Sequence, residues 1–81
     1  MAANSLRKRS VTVAGHATSF SLEEEFWDDL QRVARQRNLS LNALVSSIDA
    51  SRGGNLSSAL RVFVLECYRS GELRPVDTDR H

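Results

Sequence analysis

An 81-residue chain that is 41% hydrophobic has room for one domain with a small core, and chains of this size often complete their stability by oligomerising. The formal net charge of +1 gives no argument from overall charge for binding nucleic acid. The single cysteine excludes an internal disulfide framework, and no apolar run is long enough for a membrane span or a secretion signal, so we expect a cytoplasmic protein.

The first nine residues are predicted to form a flexible basic arm. Residues 1–6 are small or polar and show no periodicity, and Arg7, Lys8 and Arg9 follow them as a basic cluster. A contribution to solubility is the simpler interpretation of such a cluster.

Beyond this cluster, apolar and polar residues alternate as they do in β-strands. One interpretation is a hairpin that turns at residues 15–16 and pairs Val13 with Thr18. In the other, residues 7–16 remain an arm and only residues 18–22 form a strand. The hairpin would have an apolar face and a hydroxyl face, made respectively of Val11, Val13, Phe20 and Leu22 and of Ser10, Thr12, Ser19 and Ser21.

The first helix is predicted to begin at Leu22 or Glu23, because Ser21 and Glu24 have the spacing of a capping box. Acidic residues at its amino end and arginines at its carboxyl end complement the helix dipole. Asn38 is predicted to end the helix in the left-handed conformation. The apolar stripe consists of Phe26, Leu30, Val33 and Ala34.

Two more helices are predicted from their caps. Ser40 is expected to cap the second helix, and Asn55 a third helix over residues 56–70. The stripe of the second helix consists of Leu41, Leu44, Val45 and Ile48. The third helix is apolar nearly all round, which in a small protein favours a dimer interface. Three segments are therefore expected, namely an arm at residues 1–9, a domain at residues 10–70 and a disordered tail at residues 71–81.

Candidate catalytic and metal-binding residues are few. Cys67 lies on an apolar helix, where a buried structural thiol is the simpler interpretation. His16 is expected in a turn, and together with His81 and one cysteine it does not make a zinc site. The sequence offers no second acidic cluster to act with the carboxylates of residues 23–25, so acid–base catalysis has little support. The sequence therefore predicts neither an enzyme nor a metal or cofactor site.

The chain resembles a bacterial ribbon-helix-helix family of short stand-alone proteins, mostly known as predicted DNA-binding proteins, in the segments RSVTVAGHATSFSLEEEFWDDL and LSLNALVSSIDASRGGNLSSALRVFVL. The resemblance covers Arg9 to Tyr68. It is most specific in the pattern Arg-x-Val-x-Val-x-Gly-His followed by Thr-Ser-x-x-Leu-Glu-x-x-Phe-Trp. At longer range the chain is similar to the MetJ and Arc class of repressors, which read DNA with β-strands.

The resemblance implies an α+β fold that is mostly α, with an amino-terminal strand or hairpin, two helices and an extra carboxyl-terminal helix. It implies an intertwined homodimer, because a strand of five or six residues has no partner in its own helical hairpin and its backbone groups need a second chain. The paired strands would enter the major groove of double-stranded DNA, and the amino end of the second helix would bind phosphate. The implied function is that of a transcriptional repressor.

Three sets of residues take roles under this resemblance. The residues expected to face DNA bases are Thr12, Ser19 and Ser21. The residues expected to bind DNA phosphates are Arg7, Lys8, Arg9, Ser40, Leu41 and Asn42. The residues expected in the dimer core are Phe20, Leu22, Phe26, Leu30, Leu44, Ile48, Leu60 and Phe63.

The sequence departs from the repressor pattern on the outward face of the strand. Repressors of that class often carry basic or amide side chains there, whereas this chain has two serines followed by Glu23, which phosphate would repel. If residues 10–14 pair as an outer strand, the dimer presents four strands to a groove that admits a two-stranded ribbon. The alternative function is therefore a dimeric module that binds or regulates another protein, with DNA binding weak or lost.

Overall fold

The structure, a computed structural model, describes residues 6–13, 15–51 and 55–75. The predicted order of a hairpin followed by three helices is confirmed, and the fold is α+β with most residues in helices. The elements are strands β1 (Leu6–Val13) and β2 (His16–Glu23) and helices α1 (Glu24–Gln36), α2 (Leu41–Ser51) and α3 (Leu56–Ser70).

The two strands form an antiparallel hairpin, so the interpretation with an outer strand is the correct one. The predicted register is wrong by two residues, because Val13 pairs with His16 rather than with Thr18. Gly15 has a φ of +83°, and tight hairpin turns require positive φ, which glycine adopts without strain. His16 is therefore the first residue of β2 and not a turn residue. A shift of two keeps every side chain on its predicted face.

Strand β1 begins at Leu6, so the predicted arm at residues 1–9 is too long. Residues 6–9 pair with the last four residues of β2, from Phe20 to Glu23. The remainder of the predicted arm, residues 1–5, lies outside the described residues. The argument that β2 has no partner in its own chain is also wrong for one of its two edges, because β1 occupies that edge.

Helix α1 begins at Glu24, one or two residues later than predicted. Its carboxyl end is confirmed at the predicted residue, Asn38. Strand β2 continues through Glu23, and the predicted capping box fails because Ser21 still belongs to the strand. At the other end Asn38 has a φ of 60°, and the Leu39 amide donates to the Ala34 carbonyl at 2.8 Å. A left-handed residue with this six-residue hydrogen bond is a Schellman motif, which satisfies the last carbonyls of the helix.

The predicted caps of α2 and α3 are confirmed. The Ser40 hydroxyl accepts a hydrogen bond from the Ala43 amide at 3.0 Å, and the Asn55 side chain accepts one from the Ser58 amide at 3.0 Å. Gly71 ends α3 with a φ of +89°. The three positions could be read from the sequence because capping depends on residues within one helical turn.

A hydrophobic core forms within one protomer, which corrects the assignment to a dimer core for most of the eight residues predicted there. Six of them are buried in the protomer itself, namely Phe20, Leu22, Leu30, Leu44, Ile48 and Leu60. Phe26 and Phe63 are partly buried against the same cluster. The predicted tail also starts too early, because Leu73 is buried and the Arg74 carbonyl accepts from the Arg32 guanidinium at 2.6 Å. Residues 76–81 lie outside the described residues.

Candidate nucleic-acid interface

The outward face of the hairpin carries hydroxyl groups and one lysine. Side chains alternate between faces, so the apolar face toward the helices leaves Leu6, Lys8, Ser10, Thr12, Ala17, Ser19, Ser21 and Glu23 on the other. Thr12 and Ser19 are exposed, and Ser21 is half-buried. The three residues predicted to face bases therefore share one surface, and Lys8 lies directly opposite Ser21 on it.

Arg7 and Arg9 lie on the opposite face of β1 from Lys8. The Glu24 carboxylate contacts both of them, at 3.0 Å from Arg7 Nε and at 3.2 Å from Arg9 NH2. The Arg9 guanidinium also stacks 4.0 Å from the centre of the Trp27 ring. The predicted basic cluster is therefore divided, because a strand with a two-residue period points neighbouring side chains in opposite directions.

The amino end of α2 forms a second polar cluster, at the turn after α1. The Ser40 hydroxyl accepts a hydrogen bond from the amide of Ala43, the third residue of α2. The first two amides, those of Leu41 and Asn42, have no acceptor within the helix by its geometry. Ser40 and Asn42 are exposed and Leu41 is half-buried, so these amides lie at the surface, as phosphate binding requires.

Two side chains in the first half of α3 hold the end of β2, and neither is among the site residues predicted from the sequence. The Ser57 hydroxyl accepts a hydrogen bond from the Ser21 amide at 3.0 Å. The Arg61 guanidinium grips the Glu23 carboxylate, with Nε 3.0 Å from one oxygen and NH2 3.4 Å from the other. These hydrogen bonds lower the pKa of Glu23 below its ordinary value. Because the partners are 36 and 38 residues apart, no local pattern could have revealed them.

The hydrogen bond from Ser21 also defines the outer edge of β2. Amide directions alternate along a strand, so the amides of Ala17 and Ser19 point to the same edge as that of Ser21, away from β1. Ser57 covers this edge only at its carboxyl end.

A groove of about 430 Å³ lies between α1 and α3. Its apolar wall includes Phe26 together with Val62 and Leu65, which are 50% and 47% exposed. Glu25 and Asp29 line it from the side of α1. Exposed apolar residues beside a concave surface are typical of protein contacts.

Cys67 is expected to react slowly with alkylating agents, because the described fold buries it and burial raises the pKa of its thiol from 9.0 to about 11. At pH 8 this lowers the thiolate fraction by about a hundredfold relative to an exposed cysteine. We expect iodoacetamide to label the native protein far more slowly than the same protein unfolded in urea. Equal rates in the two states would show that the thiol is exposed.

Within residues 6–13, 15–51 and 55–75, no group of histidine, cysteine and acidic side chains is arranged to hold a metal ion. Over the same part of the chain, no helix is both long and apolar enough to cross a membrane.

Comparison with known proteins gives two findings that agree with this geometry. A family model described as a ribbon-helix-helix domain matches residues 6–68. The fold is similar to that of an uncharacterized protein from Bordetella pertussis Tohama I, with a TM-score of 0.67 and 27% sequence identity over 94% of this chain and 67% of that chain. No curated protein matches the chain at a significant level.

Proposed function

The chain belongs to the ribbon-helix-helix domain family, whose members are generally DNA-binding regulators, and on that premise we propose that it is a homodimeric DNA-binding protein that represses transcription. The observation that carries this proposal is the outward face of the hairpin, where Lys8 stands among exposed hydroxyls and the carboxylate of Glu23 is held by Arg61. Binding of the purified protein to its own promoter fragment, measured against random duplex, tests it. The cytoplasm of a bacterial cell would be its place of action.

The proposed dimer forms through the outer edge of β2, which gives a four-stranded sheet with the two β2 strands at its centre. A second copy can pair there without breaking the hydrogen bond from Ser21 to Ser57 if the two-fold axis passes through Thr18. In that register the outward amides of Ala17 and Ser19 bond the partner's strand, and two-fold symmetry repeats these bonds.

This arrangement assigns different roles to the two strands. Three strand spacings of about 4.8 Å make the sheet about 14 Å wide, slightly wider than the major groove of about 12 Å. Only the central β2 strands reach the floor of the groove, so Ser19 and Ser21 would contact bases there. Thr12 and Lys8, on the outer strands, would meet the phosphates that line the groove walls.

The remaining phosphate contacts would come from the amide groups of Leu41 and Asn42 beside Ser40. Arg7 shares the Glu24 carboxylate with Arg9, but its side chain is 63% exposed against 24% for Arg9, so Arg7 remains a proposed phosphate ligand. Arg9 is removed from the proposed phosphate ligands, because its side chain is held between Trp27 and Glu24.

Ser19→Pro is expected to abolish the dimer while leaving the protomer folded. Proline removes an amide that points to the outer edge of β2 but none that bonds β1. Ser10→Pro is the matched control, because Ser10 is the cross-strand partner of Ser19 and its amide points to the outer edge of β1. Sedimentation at micromolar concentration should show a monomer for Ser19→Pro and a dimer for Ser10→Pro. If both Ser19→Pro and Ser10→Pro sediment as dimers, the proposed interface is wrong.

A protein-interaction role is the second candidate, and the groove between α1 and α3 favours it. Its apolar wall and the exposed carboxylate of Glu25 suit a partner helix that is apolar on one face and basic at its margin. Leu65→Asp should abolish capture of such a partner and leave DNA binding unchanged. Loss of DNA binding in this variant would show that the groove is not a separate site.

A further inference from the structure

The carboxylate of Glu23 stands on the same outward face as the hydroxyls proposed to contact DNA. It lies two residues beyond Ser21, which corresponds to about 7 Å along a strand. This distance is shorter than the Debye length of about 10 Å at 0.1 M salt, so an unpaired Glu23 would repel nearby phosphates. The side chain that meets it in the fold is Arg61 of α3.

We propose that Arg61 is a positioning residue for DNA binding, which acts by neutralising the charge of Glu23 beside the hydroxyls of the outward face. The inference rests on the proposed function and assigns a role in it to the helix beyond the minimal strand-helix-helix unit. Ser57 acts with Arg61, since the two are four residues apart and therefore share one face of α3.

Arg61 contacts two residues, and Ser57 adds a third contact to the end of β2. Its guanidinium bonds both oxygens of Glu23, which is the fork geometry that makes arginine–carboxylate pairs directional. The same group lies 6.0 Å from the centre of the Phe26 ring. The Ser57 hydroxyl accepts a hydrogen bond from the amide of Ser21, which lies two residues before Glu23 on β2. The end of the hairpin is thus anchored by a charged contact and a neutral one.

The expected size of the effect follows from Coulomb's law. Without screening by salt, one unpaired charge about 7 Å from a phosphate in water weakens binding by about threefold, and the two symmetric copies in a dimer weaken it by about sevenfold. Higher salt reduces this penalty because the charges stand near the surface.

The test compares duplex DNA binding by Arg61→Ala, by Glu23→Gln and by the double variant at about 0.01 M salt, where the Debye length of about 30 Å leaves the repulsion largely unscreened. We expect Arg61→Ala to lose about fivefold in affinity, Glu23→Gln to bind at least as tightly as the unmodified chain, and the double variant to recover to within about twofold of it. Recovery of DNA affinity in the double variant would show that charge matters, because the double variant removes the negative charge without restoring the ion pair. Thermal melting and sedimentation of each variant establish that it folds and dimerises.

A purely structural ion pair gives the opposite pattern. Glu23→Gln would then weaken DNA binding as much as Arg61→Ala, and the double variant would be no better. That result, or full affinity in Arg61→Ala, overturns the inference while leaving the proposed function standing. An unmodified chain that binds no duplex at all would overturn the proposed function itself. If Arg61→Ala does not fold, Glu23→Gln alone still decides, because weaker binding in that variant contradicts the neutralising role.

Discussion

Leu60→Ala is expected to lower the free energy of unfolding by about 2–5 kcal/mol, the range typical of a leucine truncated in a tightly packed core. Leu60 is 0% exposed in the second turn of α3 and belongs to the hydrophobic cluster that joins the hairpin to the three helices. In a domain with so small a core, this loss is a large fraction of the total stability. Urea denaturation followed by circular dichroism measures it.

Leu65→Ala on the same helix is the matched control. The residue type and the helix propensity change are identical, but Leu65 is 47% exposed. We expect a loss well below that of Leu60→Ala, because less apolar surface leaves water and no enclosed cavity forms. If the two variants lose equal stability in the dimer, Leu65 is buried there and α3 belongs to the subunit interface.

Lys8→Glu is expected to have the largest effect on DNA binding, because it places a carboxylate on the outward face of both protomers. One lost phosphate contact per protomer lowers the slope of log affinity against log salt by about two for the dimer. Affinity should fall by more than about tenfold for specific and random DNA alike, because phosphate contacts carry no sequence information. Fluorescence anisotropy over a salt series measures both quantities.

Arg69→Glu is the control for this charge reversal. Arg69 is exposed in the last turn of α3, about 18 Å along the helix from Ser57, which touches β2. The net charge changes by the same amount, so an equal loss of affinity would mean that overall charge rather than the hairpin face governs binding. The expected result is a small loss that does not alter the preference for the promoter.

The elements of the fold could be predicted from the sequence where local chemistry specifies them. Ser40, Asn38 and Asn55 mark helix ends because each bonds the backbone within one turn or adopts the left-handed conformation. The two faces of the hairpin were predicted correctly because they depend only on the period of two. The family resemblance added the order of the elements and the expectation of DNA binding.

The predictions that were wrong depend on competition between neighbouring segments. Ser21 and Glu24 match a capping box, but pairing with β1 extends β2 past Ser21, and Glu24 bonds Arg7 and Arg9 instead. The predicted strand register depends on a turn at residues 15–16. The turn lies one residue earlier, so each residue of β1 pairs with a residue two positions earlier on β2.

The contacts that shape the candidate site lie beyond local reasoning. Ser57 and Arg61 meet β2 only because α3 packs beside it, and the sequence of α3 reads as an apolar core helix without this context. For the same reason the sequence does not reveal that Arg61 neutralises Glu23, and by sequence alone the charge of Glu23 argues against DNA binding.

Binding of the purified protein to its own promoter fragment and to random duplex, measured from low to physiological salt, tests the proposed function most directly. We expect tighter binding to the promoter and a linear fall of log affinity with log salt for both duplexes, as release of counterions from phosphates requires. Absence of binding to either duplex at low salt, together with capture of one defined protein partner that Leu65→Asp abolishes, would contradict the proposal and establish the groove between α1 and α3 as the functional surface.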